Sequence, residues 1–462
     1  MPLKQFTIDF REFTDHQHLR FDEKFWFTTK NLAVYNYILL KNVFDLVNGN
    51  SYTEYYTEEK TNIPYIRIGD LSFKYEINNN NLIYLDESCK INKEKKLKKD
   101  DLILATIGAT IGKINLAREF EGGTFSNNTI LLRLKDKENQ NPLFYEKLFQ
   151  SSLLQEYVWG VISQKAQPNL QTYDLQNIKI PLIPKSKQDQ AVAQIEPIER
   201  KIKEMKNQII PAQKIINKVF ARELGFNLEK FEELKKERFF EVDFSSFDTP
   251  LIRSTTIQNN YKSKHLKQFL KNNTIFLKDI ITKPIKRGKQ PEYTEDGIKV
   301  IKTLNIQKGE VTLDEAQFVS DDFLKKNQEK AGIYQNDLLL TSTGMGRGKF
   351  ALYNNEEIRF ADSHISIIRL NQNKILPYFL NYYCQSFFGV EQLKYIEMHI
   401  KGTPEIYESQ LNYFQIPNIP LKNQQKIVDE TKTELDKQEK MNQKIETERN
   451  KIDEIIEKVI IV

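Results

Sequence analysis

The chain has 462 residues, 39% hydrophobic and 28% charged, long enough for two to four soluble domains with ordinary cores. A net charge of +5, from 68 basic against 63 acidic residues, permits nucleic-acid binding without demanding it, so any basic patch has to be local. No apolar run reaches the roughly 18 residues of a membrane span. The opening MPLKQFTIDFREF lacks the basic-then-apolar order of a signal peptide. Two distant cysteines and five scattered histidines give no metal-ligand spacing; the expected setting is the cytoplasm, with Cys89 and Cys384 as reduced core residues.

In chain order, an uncharged loop, NGNSYT around Gly49, precedes a strand at Tyr65 to Leu71. Further strands are expected at Leu102 to Ile107 and Ile130 to Leu134, then a helix at Pro142 to Tyr157 with proline in its first turn. After Pro184 the apolar residues Ala191, Ile195, Ile198, Ile202, Met205, Ile209, Ala212, Ile216 and Val219 alternate steps of four and three, a heptad seam. Interior proline costs about 3 kcal/mol, so Pro197 is expected in the first turn of a helix starting near Glu196, and Pro211 at a kink.

The second half runs through KPIKRGK (Lys283 to Lys289), strands at Val300 to Ile306, Leu338 to Leu340 and Ile365 to Leu370, and a helix at Pro377 to Tyr395. The tail keeps a weaker heptad frame. Ile427, Met441, Ile445, Ile452, Ile455 and Val459 share it with the polar Thr431, Glu434, Gln438 and Glu448, of which Glu434 and Gln438 are expected to face a partner.

The two halves match. DLILATIGATIGK begins at Asp101 and DLLLTSTGMGRGK at Asp337, 236 positions later, and ILLRL ending at Leu134 meets SIIRL ending at Leu370 at the same offset. QPNLQTYDLQNIKIPLIP (Gln167 to Pro184) aligns with TPEIYESQLNYFQIPNIP (Thr403 to Pro420), and Tyr56-Thr57-Glu58 with Tyr293-Thr294-Glu295. Collinear matches at nearly one offset indicate a duplicated module. The expected fold is α+β: two α/β modules, 1–185 and 225–420, each followed by a long helix, 186–224 and 421–462. The helices either pair with each other as a coiled coil or are unrelated surface helices, and their matched lengths favour pairing.

GATIGK (Gly108 to Lys113) and GMGRGK (Gly344 to Lys349) resemble a phosphate loop but have three residues between glycines instead of four, with Ile114 and Phe350 where Ser or Thr would hold magnesium. They do not make an ATPase. Thr110 and Lys113, with Thr343, Arg347 and Lys349, suit contacts to DNA phosphate, and Arg347 also suits guanine; a tight turn needed only for strand geometry is the plainer reading.

Lys283, Lys286, Arg287 and Lys289 are candidate DNA contacts or a solvated loop. Asn48, Asn50, Ser51 and Tyr52 are their uncharged counterparts. Ser126, Asn127 and Asn128 stand opposite Asp362, Ser363 and His364 in the repeat. Gln164, Lys165, Gln167 and Asn169 stand opposite His399, Lys401 and Thr403. Asn and Gln can bond adenine N6 and N7 together, although each residue is also an ordinary turn former or cap. The lone Asn141-Pro142-Leu143 is not the Asn/Asp-Pro-Pro-aromatic motif of an adenine methyltransferase, and no nuclease or helicase motif is evident. The chain is expected to be a recognition protein without catalytic residues.

Two recognition modules each followed by a long helix resembles the specificity subunit of type I restriction–modification systems, over nearly the whole chain. The matching pieces are the loops at Gly49 and Gly288, YIRIGDL with Asp70 echoed by VIKTLNI with Asn305, the Asp-led DLILATIGATIGK, SNN at Ser126 to Asn128, and QPNL running through IPLIP into KQDQ. The second copy departs with Thr403 and Glu405 in TPEI and with NQQKIV around Gln425. The resemblance implies that the helices pair antiparallel and that methyltransferase subunits and a restriction/translocase subunit are partners on double-stranded DNA. It also implies that S-adenosylmethionine, ATP and magnesium serve those partners, with no cofactor on this chain. Twenty-nine helical residues span about 43 Å at about 1.5 Å each, which implies half-sites centred around 12 base pairs apart. A type IIB-like specificity subunit and a coiled-coil adaptor that binds no DNA remain alternatives.

Overall fold

The computed structural model describes residues 36–79, 81–161, 168–234, 261–307, 309–314, 316–344, 346–396, 398–400 and 403–461. The chain divides into two units, one made of Met1–Gln208 with Asn442–Val462 and the other of Ile209–Met441. The division falls inside both long helical stretches, away from the expected module boundaries near 185, 224 and 420.

In the first unit, strands Phe44–Asn48, Thr129–Leu134, Leu102–Ala105 and Ile114–Leu116 form an antiparallel sheet in that order. Leu102–Ala105 is buried at all four positions, which explains its uninterrupted apolar sequence: both faces are covered. Ile103, Ala105 and Leu131 pack with Ile66, Leu97 and Phe125. A second sheet orders Tyr56–Thr57, Ile83–Leu85, Pro64–Ile66 and Thr124–Phe125, the last two parallel. Tyr37–Leu39 pairs with Lys179–Pro181.

The second unit has a six-stranded sheet, Lys286–Arg287, Ile365–Ile368, Leu338–Thr341, Phe350–Leu352, Gly309–Val311 and Ile306–Gln307 in order. A five-stranded sheet orders Tyr293–Thr294, Phe318–Val319, Ile298–Ile301, Arg359–Ala361 and Gly332–Ile333. Its main core is aromatic, with Phe226, Phe379, Tyr383, Phe388 and Phe414 buried together.

One ion pair sits at the start of the same strand in both units. Arg133 donates through Nε and Nη2 to Asp101 at 2.9 and 2.7 Å, and Arg369 to Asp337 at 2.8 and 2.7 Å. Each aspartate also accepts a backbone N–H three residues upstream, from Lys98 and Tyr334. The side-chain hydrogen bonds to Asp101 and Asp337 hold both guanidinium pKa values above the usual arginine value.

Several expected boundaries move, each for a local reason. The strand expected at Tyr65 to Leu71 stops at Ile66 because Asp70 accepts the Arg67 N–H and closes a turn. Asn305 does the same for Lys302 after Ile298–Ile301. The expected helices Pro142 to Tyr157 and Pro377 to Tyr395 are each two helices, Pro142–Gln150 with Ser152–Val161 and Pro377–Gln385 with Phe387–Ile396. At the breaks, the Ser151 and Ser386 hydroxyls donate to the carbonyls of Leu148 and Tyr383.

The first long helix runs Lys185–Asn207 with Pro197 in its interior, not in its first turn. Pro197 and Ala193 are exposed, so the carbonyl freed by the missing N–H meets water while Ala191, Ile195 and Ile202 hold the buried face. Pro211 ends the run instead of kinking it: a separate helix, Ala212–Glu223, begins after it.

A 41-residue helix, Leu421–Ile461, closes the chain. Within the first unit Lys201 lies 2.6 Å from Glu448. Within the second, Arg222 pairs with Glu430, and Lys426 lies 2.7 Å from Glu223. In the second unit the pairs Arg222 with Glu430 and Ile210 with Gln438 set the two helical stretches in opposite directions. Gln438 accepts the Ile210 N–H at 2.9 Å, satisfying a donor left free beside Pro211, so it faces the other helical stretch and not a partner.

Candidate nucleic-acid interface

Antiparallel pairing brings three loops to one end of the main sheet in each unit. In the first they follow Asn48, follow Ala105 and precede Thr129; in the second they follow Arg287, follow Thr341 and precede Ile365. A fourth segment joins them through isolated bridges, Ile107 with Asn169 and Thr343 with Glu405. Leu170 N–H donates to Thr106 O, and Ile406 N–H to Ser342 O, both at 2.9 Å.

Gly49 and Gly288 allow this assembly. Their N–H groups donate to Thr129 O and Ile365 O, and a Cβ at either would lie 1.9 Å from Ser126 O or 2.2 Å from Ala361 O. The next N–H in each, from Asn50 and Lys289, reaches Phe125 O and Ala361 O. The backbone trace around the two loops is therefore the same, whereas the side chains differ.

In the first unit, Asn48 Oδ1 accepts the Thr172 hydroxyl at 3.0 Å, and Asn50 Oδ1 accepts Lys95 Nζ at 2.6 Å. Ser51 and Asn127 are exposed, and Asn128 and Asn169 are half-buried. Tyr52 is buried edge-on against Tyr65 with Leu85 and Cys89, which makes it a core residue with no free ring face. Thr110 turns its hydroxyl back to Ile107 O, and Lys113 lies over Phe73. Ser126 is buried, and its Oγ has no partner among the described residues.

In the second unit much of the basic loop is already paired. Arg287 donates through Nε to Glu408 at 2.7 Å and through Nη2 to Ile406 O at 3.0 Å, and it lies over Tyr407. Lys286 reaches Glu329 at 3.0 Å, holding that carboxyl below its usual pKa, and Lys289 reaches Asn327 at 2.7 Å. Lys283 is exposed. Thr343 Oγ1 meets His364 Nδ1, Asp362 receives the His364 N–H, and Ser363 lies 3.4 Å from Gln290. Arg347 curls onto Gly344 O, and Lys349 is exposed. His399 and Thr403 belong to a backbone ribbon, Met398–Ile400 with Thr403–Glu405. Gln164, Lys165, Gln167 and Lys401 lie outside the described residues.

Three participants escape the sequence reading. Thr172 braces Asn48. Lys326 and Lys330, four apart on the helix Asp321–Ala331, line a groove with Lys286, Arg287, Asn327 and Glu408. DDFLKKNQEK announces that helix, with Ser320 as its cap, but it has no counterpart in the first half, and an argument by matching halves passes over it.

Residues 35–212 match the family model described as type I restriction modification DNA specificity domain. A putative type I restriction enzyme specificity subunit from Methanocaldococcus jannaschii is 26% identical over 156 residues, 33% of this chain. The match spans 36% of that relative's length. Among solved structures, the type I S subunit from M. genitalium is 15% identical, with 92% of this chain and 96% of that chain covered and a TM-score of 0.42. The S subunit from Thermoanaerobacter tengcongensis is 13% identical, with 92% and 96% covered and a TM-score of 0.32. The first part of the chain, residues 35–212, is thus similar to the type I restriction modification DNA specificity domain.

Proposed function

We propose that the chain is the non-catalytic DNA-reading subunit of a type I restriction–modification complex, acting in the cytoplasm through two duplicated recognition modules whose long helices pair as an antiparallel coiled coil. One observation carries this reading: the loop end of the matched specificity domain recurs in the second unit with the same backbone hydrogen bonds and different side chains. A frame repeated with altered loops suits two different half-sites. The target is then bipartite and asymmetric, with an unread spacer set by the helices.

The first module would read through Ser51, Asn127, Asn128 and Asn169, with Lys113 on phosphate. The second would use Gln290, Ser363, His364 and Lys349, with Lys326 and Lys330 on the backbone. Methyltransferase and restriction/translocase subunits would supply catalysis, using S-adenosylmethionine, ATP and magnesium.

The test is co-expression with a candidate type I methyltransferase subunit and mapping of N6-methyladenine across plasmid DNA. A bipartite, asymmetric motif with a fixed spacer is expected. A stable complex with an active methyltransferase but no sequence-specific methylation overturns the reading.

A further inference from the structure

The side chains that leave the loop strand in the two units make the same contact in two chemistries. The shared bonds of Gly49 and Gly288 place Asn48 and Arg287 at equivalent positions, and those of Leu170 and Ile406 do the same for Thr172 and Glu408. Asn48 bonds Thr172 at 3.0 Å; Arg287 bonds Glu408 at 2.7 Å. A neutral pair in one unit is an ion pair in the other, joining the same two strands of backbone.

We propose that Arg287, and Asn48 in its place, are positioning residues that brace the recognition loops and do not themselves meet DNA. The inference rests on the DNA-reading function above. In the second unit the brace reaches the exposed loops in two steps. Arg287 fixes Glu405, Ile406 and Glu408, lying 3.7 Å from Glu405 as well. That segment bridges Thr343, whose hydroxyl holds the ring of His364.

Geometry argues against a direct contact. The Arg287 side chain is 23% exposed, and its guanidinium is committed to a carboxylate, a carbonyl and an aromatic face. Turning it towards a phosphate would leave Glu405 and Glu408 without their cation beside an approaching polyanion.

The experiment compares wild type, Arg287→Asn, and Arg287→Asn with Glu408→Thr, each as the full chain with its methyltransferase. The double variant installs the first unit's own pair and leaves net charge unchanged. The readouts are affinity for the mapped motif, its salt dependence, and methylation of sites altered in one half. A brace predicts that Arg287→Asn loses roughly tenfold discrimination at the second half-site. The double variant recovers most of that loss, and both keep the wild-type salt slope.

A phosphate contact would instead lower the slope by about 0.9 in both variants. A base contact would leave discrimination lost in both. Either result overturns the proposal. Amide exchange at Ile406 in the DNA-free complex tests the brace separately: faster exchange in Arg287→Asn, restored in the double variant, is expected, and no change overturns it. Absence of specific DNA binding by wild type would overturn the recognition reading, and with it the role assigned to the brace, whatever the exchange result.

Discussion

Replacing Arg133 by methionine tests the buried ion pair that sets the start of the central strand. Asp101 is fully buried, and its oxygens receive two charged hydrogen bonds from Arg133 and one backbone N–H from Lys98. Arg133 also donates to the carbonyls of Glu94 and Lys96, but those lie near solvent and can be hydrated. The loss is therefore dominated by a carboxylate left without its cation, about 3–5 kcal/mol. Asp101→Asn removes the charge but keeps an acceptor for Lys98, and its partner reaches solvent, so it costs less, about 1–3 kcal/mol. Asp101→Asn added to Arg133→Met should then recover part of the loss. Urea unfolding followed by amide exchange in the first unit separates its transition from that of the second. Equal costs below about 1 kcal/mol for the two single variants, or strict additivity in the double, would refute the argument, since a pair this buried has to couple.

Gly49→Ala and Gly288→Ala each drive a Cβ into a backbone carbonyl. A cost of about 1–3 kcal/mol from overpacking is expected, read by thermal unfolding together with a shift in loop amide exchange. Lys206 lies half-buried over Tyr75, a ring it shares with Arg449; burial foremost, then the Arg449 charge, lower its pKa to about 8. Its folded pKa lies below the unfolded value, so the charged form penalises folding below about pH 8 and the penalty is relieved as pH rises towards the unfolded pKa. Lys206→Met should therefore stabilise the first unit at pH 7 by about 1 kcal/mol after allowance for solvent screening, and should flatten the gain in stability that wild type shows from pH 8 to 10. Denaturant midpoints measured across that range decide it. Lys326→Ala with Lys330→Ala should lower the salt slope of DNA binding by about 1.8 while leaving the methylated motif unaltered; a changed motif would mean that these lysines read bases.

Sequence periodicity reaches the strands at Leu102 and Leu338 and the helices after Pro184 and Pro420, because burial on one or both faces writes itself into apolar spacing. It also aligns Asn169 with Glu405, positions that make equivalent backbone bridges. It could not show that Tyr52 is a core residue, since an aromatic beside Asn and Ser reads equally as a contact. Nor could it show that two of the charges of KPIKRGK, on Lys286 and Arg287, are taken up by Glu329, Glu405 and Glu408, which lie some 40 to 120 positions away. Charge in a loop is local in sequence, but its neutralisation is a tertiary property. Pro197 misled for a related reason: the penalty for an interior proline falls where its freed carbonyl finds water.

The contacts that recur unchanged in the two units and those that recur altered sort by burial. Asp101 with Arg133 and Asp337 with Arg369 keep both residue types, and their carboxylates are almost wholly enclosed. The brace changes type, from Asn48 with Thr172 to Arg287 with Glu408, and it is partly open to solvent. In an enclosed pair the order of change matters, since losing the arginine first strands a carboxylate in the core whereas the arginine left by loss of the aspartate still reaches solvent. In a brace near water either order serves, because an unpaired member can be hydrated while its partner changes. Two units that share these backbone bonds can therefore differ at the brace and at the exposed loops without endangering the sheets that carry them. On this argument, exchanging Asn48 and Thr172 for Arg and Glu in the first unit should be tolerated in stability. Exchanging Asp101 and Arg133 for a neutral hydrogen-bonding pair should fail when Arg133 is changed first, and should be tolerated better when Asp101 is changed first or both are changed together.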